Sequence, residues 1–90
     1  MADLERIKRD IAEIAEHPKS VTLSKITRIA DQLKMIGWEV SYRKTNETWV
    51  FYIQGEAFNI CDHHRGSSQL KQVYVRKFLG AMINLRLHEG

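Results

Sequence analysis

Cysteine and proline are nearly missing from this chain, which has one of each in 90 residues, Cys61 and Pro18. A single thiol excludes an internal disulfide, and no Cys/His spacing fits a zinc site. The fold is therefore expected to stand without staples, metal or cofactor, on a core that is small but adequate for one domain. Long apolar runs are missing too, so nothing here should span a bilayer, and Met1 to Arg9 mix acids and bases in a way that argues against a secretory signal. A reducing cytoplasm is the simplest compartment. Net charge is slight, +3 with histidines neutral, and would mean little if it were spread evenly.

It is not spread evenly. From Lys19 to Arg28 the chain carries Lys19, Lys25 and Arg28 with no acid. From His63 to Lys77 it carries Arg65, Lys71, Arg76 and Lys77, with His63 and His64, and again no acid. The acids gather in Asp3, Glu5, Asp10, Glu13 and Glu16, and in Glu39, Glu47 and Glu56. Clustered cations are the footprint of a polyanion partner. Solvated helix faces are the plainer explanation of such runs, and charge alone leaves the two in balance.

Asp3 is placed to cap a first helix to about Glu16, in which Leu4, Ile7, Ile11 and Ile14 share one face. His17-Pro18 stops it, because the residue before proline is pushed out of the helical region. That apolar stripe can lie on the domain or pair with another chain, and packing on the chain's own core is the favoured use. Ser20 or Thr22 caps a second helix with Leu23, Ile26, Ile29, Ala30, Leu33 and Ile36 on its buried side, and Gly37 suits the left-handed position that ends it. Lys25, Arg28 and Gln32 fall on its exposed side.

Trp38 to Arg43 alternates apolar and polar residues as a half-buried strand does. Thr45-Asn46-Glu47 reads as a turn, Trp49, Phe51 and Ile53 as a second strand, and Gln54-Gly55-Glu56 as a tight hairpin. Ala57 to Cys61 makes a third strand. His63 to Gln69 is polar and reads as a loop. Val75, Phe78, Leu79 and Met82 mark a last helix, with Leu87 to Gly90 as a frayed tail. The expected fold is α+β: an N-terminal helix over residues 1–18, then a helix, a three-stranded antiparallel sheet and a helix over 19–90. Lys71, Arg76 and Lys77 sit in the first two turns of the last helix, where cations oppose the macrodipole and make sense if an anion completes the site.

Leu33…Ile36-Gly37-Trp38, then Arg43-Lys44, Val50-Phe51, Asn59-Ile60-Cys61-Asp62-His63 and Leu70 through Val75-Arg76-Lys77-Phe78-Leu79 together resemble the HicA family. The resemblance covers roughly residues 21–82. It implies a double-stranded-RNA-binding-domain-like fold, as found in small bacterial toxins that cleave messenger RNA and are restrained by a partner antitoxin. In that family a histidine opening the second strand is taken as catalytic, and Thr48 stands at the equivalent position here. A threonine hydroxyl does not titrate near neutrality, so the resemblance implies a degenerate or altered catalytic site.

Three functions follow as expectations. The first is an RNA-binding protein that grips duplex RNA by shape and phosphate contacts through Lys25, Arg28, Arg43, Lys44, Arg65, Lys71, Arg76 and Lys77. The second is an active messenger-RNA endoribonuclease using His63 or His64, since histidine titrates in the right range for acid–base work. Adjacent residues of an extended chain point opposite ways, so these two are not expected to flank one phosphate as a pair. The third is a protein-interaction module in which the N-terminal helix forms a homodimer or docks an antitoxin-like partner. Cys61 is read as a small strand residue and not a nucleophile. Trp38 and Trp49 are read as core, and Tyr42 and Tyr52 fit either core or surface.

Overall fold

Asp3 caps the first helix as its short carboxylate suggests, accepting a hydrogen bond from the Arg6 amide at 2.8 Å. This computed structural model describes residues 3–46, 48–61 and 70–88. Helix α1 runs Leu4–Glu16, and a 3₁₀ turn at Pro18–Ser20 redirects the chain. Helix α2 (Leu23–Met35) starts at Thr22, whose hydroxyl accepts from the Lys25 amide. Strands β1 (Val40–Thr45), β2 (Thr48–Ile53) and β3 (Glu56–Cys61) form an antiparallel meander in the order β1-β2-β3. Helix α3 (Gln72–Asn84) closes the domain. The arrangement is the expected α+β order of helix, sheet and helix, with the additional N-terminal helix present.

Two tight connections set the register. Thr45 pairs with Thr48 across the first and Ile53 with Glu56 across the second. In the second, Gln54 and Gly55 both have positive φ, 48° and 91°, the geometry whose twist matches the strands on either side. One face of the sheet then carries Val40, Phe51, Ile53, Phe58 and Ile60, all buried. Aromatic rings cross it in a row: Tyr42 stacks on Phe51 at 5.2 Å, Phe51 on Phe58 at 5.1 Å, and Phe58 meets the edge of Phe78 on α3 at 5.8 Å. The Tyr42 hydroxyl continues the row by donating to Asp31 of α2 at 2.9 Å.

The α1 stripe is part of this same core. Ile7 and Ile11 are fully buried and Ile14 nearly so, with Leu4 packed beside them. Burying an isoleucine side chain contributes about 1.5–3 kcal/mol, so α1 is held by its own chain and its apolar side is already covered. Leu23 and Ile36 of α2 and Leu79 of α3 are only half-buried, at the margins of the core.

Helix α2 ends at Gly37 as expected, while the start of β1 and the end of α3 differ from expectation for one shared reason. The amides of Gly37 and Trp38 donate back to the carbonyls of Lys34 and Leu33, both at 3.1 Å, which is a Schellman cap with Gly37 at φ +98°. Trp38 is thus spent on ending α2, and β1 begins two residues later, at Val40. At the end of α3 the same cap recurs: Arg86 donates to Ile83 at 3.0 Å and Leu87 to Met82 at 2.8 Å. Leu87 is buried there, at 3% exposure. The tail is therefore not frayed from Leu87; the cap carries that side chain back into the core, with Arg86 at φ +62° where a glycine is usual.

Candidate nucleic-acid interface

The pleat sends every second residue of the sheet away from the helices. The strand register aligns these outward positions in three rows: Ser41–Tyr52–Ala57, Arg43–Val50–Asn59 and Thr45–Thr48–Cys61. Tyr52 and Val50 are 40% and 38% exposed. No outward position carries an acid.

Along β3 the face meets α3. Lys77 reaches over the strand, its Nζ donating to Asn59 Oδ1 at 3.2 Å and lying 5.6 Å from the Tyr74 ring centre. Next to it Thr48 Oγ1 stands 3.6 Å from Cys61 Sγ. The Tyr74 hydroxyl also hydrogen-bonds the sulfur, and this bond, with that of Thr48, holds the Cys61 thiol below its usual pKa. The nearby charges of Lys77 and Lys71 act in the same direction, against some desolvation. Tyr74 is pushed upward in turn, chiefly because its proton is engaged with the sulfur. Hydroxyl donors and lysines that favour the ionised form of a thiol are groups of the kind that hydrogen-bond an anionic oxygen.

A backbone bond joins the two cationic stretches of the chain. Leu70 N donates to Val21 O at 2.9 Å, so the starts of α2 and α3 lie side by side. Neither helix has an acid in its first turn. Lys71 is the N-cap residue of α3 and makes no side-chain capping bond, while Lys25 in the first turn of α2 donates to Ser20 O at 3.2 Å. On the side of α2 that faces α1 the electrostatics are mixed. Lys25 and Arg28 line a groove of about 330 Å³ between α1 and α2, where Arg6 and His17 stand with the acids Asp10 and Glu13. That mixed lining partly offsets the field of the α2 cations.

The structure thus divides the residues that the sequence groups together. Lys71 and Lys77 share the β3–α3 edge, and Arg43 faces outward from β1. Lys44, its neighbour, points to the opposite face, with its Nζ 5.9 Å from the Trp49 ring centre. Arg76 lies on the solvent side of α3 with the exposed Val73 and Ile83. Lys25 and Arg28 stand in the mixed groove. His63, His64 and Arg65 lie outside the described residues, as does Glu47. Trp38 and Trp49 pack on the core, as read from the sequence, and the two tyrosines separate: Tyr42 to the core, Tyr52 to solvent.

Asn59 and Tyr74 escaped the sequence reading, and the closeness of Thr48 to Cys61 was missed with them. Among the described residues no three His, Cys, Asp or Glu side chains come together to hold a metal ion, and no helix is long and apolar enough to cross a membrane. Comparison with protein-family models, with curated proteins and with solved structures gives no match.

Proposed function

We propose that this chain is an RNA-binding protein of HicA-like type that recognises duplex RNA by shape and phosphate contacts. The observation that carries the reading is the pairing of two lysine-bearing helix starts whose own first turns hold no acid, held side by side by the bond from Leu70 to Val21. Lys71 at the N-cap of α3 and Lys77 within it bear on one run of phosphates, and Lys19 of the 3₁₀ turn with Lys25 at the start of α2 on the neighbouring one. The sheet fixes the distance between them. Shape recognition of an A-form helix needs this kind of two-point grip on the backbone more than it needs base contacts.

The test is a titration against matched duplex RNA and duplex DNA, beside a Lys71→Ala/Lys77→Ala variant. RNA should bind more tightly than DNA. The variant should lose affinity and show a salt dependence shallower by about two in the log–log slope, one for each phosphate contact removed. A wild-type protein that binds neither duplex at low salt sinks the reading.

One observation favours cleavage as a second reading. Thr48, which stands where the HicA family has its histidine, lies 3.6 Å from Cys61, whose sulfur is hydrogen-bonded by Tyr74 and feels the charge of Lys77, so proton donors and a cation gather near the start of β2. His63 or His64 would supply the titrating group. Incubating RNA with the protein and with a His63→Ala/His64→Ala variant decides it: cutting by the first and not the second supports an endoribonuclease, and intact RNA in both removes it.

A further inference from the structure

We infer that the outward face of the sheet binds a single-stranded stretch of RNA, with Tyr52 stacking on an unpaired base and Arg43 and Lys77 meeting the phosphates. This rests on the RNA-binding reading and adds to it a second surface and the form of RNA that surface takes.

Tyr52 is the reason to look here. It sits between Ser41 on β1 and Ala57 on β3, the two smallest neighbours on this face. A tyrosine in a sheet normally contributes through large or β-branched cross-strand partners, and this one has none. Its ring is left standing, 40% exposed, which does little for folding. A flat aromatic on an open strand is the platform on which nucleic-acid bases stack, whatever their identity.

Charge selects the occupant. The nine outward positions hold no acid and one cation, Arg43, paired across from Val50 on the β1 side. On the opposite side Lys77 is steered onto the face by its 3.2 Å bond to Asn59 Oδ1. A chain laid across the strands therefore meets a cation at each margin and an aromatic ring between sheet edges. A second protein would need a wider apolar patch than Val50 and Tyr52 provide. A duplex hides its base faces in its own stack, so an aromatic on this shallow surface can stack only on an unpaired base.

Fluorescence anisotropy of an end-labelled oligouridine of about 12 nucleotides, beside a blunt RNA duplex, tests the inference. Tyr52→Ala should weaken single-strand binding about tenfold or more, Tyr52→Phe should preserve it, and neither should alter duplex binding. If Tyr52→Ala binds the single strand like wild type while Lys71→Ala/Lys77→Ala still loses RNA, the sheet-face inference fails and RNA binding stands. If wild type binds no RNA at low salt, both fail. If wild type sediments as a dimer that Tyr52→Ala dissociates with RNA affinity intact, the face belongs to a second copy of the chain and the inference is overturned. Should Tyr52→Ala not fold, photocross-linking of wild type to a thiouridine-bearing oligonucleotide takes its place: an adduct at Tyr52 supports the site, and adducts confined to α2 or to the part of α3 away from Lys77, with none on the sheet, refute it.

Discussion

Replacing Ile11 by alanine separates a core helix from a docking helix. Ile11 is fully buried between α1 and the rest of the domain, so its truncation loses both transfer free energy and packing, about 2–5 kcal/mol for an isoleucine-to-alanine change. A chain of 90 residues has a total stability of about 5–13 kcal/mol. A central loss of about 3 kcal/mol, set against a urea slope of about 2 kcal/mol/M, lowers the midpoint by about 1.5 M without changing the slope. The same loss lowers Tm by roughly 12–24 °C. Glu16→Ala, at the exposed end of the same helix, is the control and should stay within about 0.5 kcal/mol of wild type. Circular dichroism in urea, run at two protein concentrations and paired with sedimentation, reads both quantities. An unchanged midpoint together with a wild-type dimer that the substitution dissociates would refute the argument, because the stripe would then be an interface between chains. Deleting residues 1–17 is a harsher form of the same experiment. It removes three buried isoleucines at once, which approaches the whole stability, and should unfold the protein.

The other predictions concern the helix ends and the thiol. Arg86→Gly should raise Tm by a few degrees, because it relieves left-handed strain of about 1–2 kcal/mol at a small cost in chain entropy. Gly37→Ala should lower Tm for the converse reason, since φ is +98° and nothing lies near an added Cβ to compensate; equal melting of both variants and wild type would count against the cap assignments. Alkylation of Cys61 by iodoacetamide should show a pH midpoint below that of a free thiol, since the thiolate accepts from Tyr74 and Thr48 and faces Lys77 and Lys71. Tyr74→Phe removes the larger donor and should move the midpoint upward; a midpoint that does not move means that Tyr74 does not hold the thiolate.

Most of the framework was legible in the sequence because it is written in local patterns. Isoleucines three and four apart, a glycine after Ile36, and period-two alternation from Trp38 onward each specify an element within a few residues. The Leu87 cap was not legible because its usual marker is glycine and this chain uses Arg86, whose cost is repaid by burying Leu87. The Thr48–Cys61 contact was within reach: once Gln54-Gly55 is taken as a two-residue turn, counting outward from Ile53 and Glu56 sets Thr48 opposite Cys61. Tyr74 could not be found that way, since its approach depends on where α3 docks along β3. Nor could the sequence show that Asp10 and Glu13 share a groove with Lys25 and Arg28. Charge runs along a chain say how many cations there are, and the packing of α1 on α2 decides which of them face acids.

Strand β1 is one border of the sheet, with β2 paired on its one side and α2 packed against it, while α3 packs along β3 at the other end. Such a border is a template on which another copy of the chain could extend the hydrogen-bond ladder. Arg43 and Lys44 point to opposite faces of that border, so each face of the strand carries a cation, and charged side chains on an edge strand disfavour its pairing with another chain. A substitution that neutralises both cations to study RNA contacts is therefore expected to ease strand addition as well.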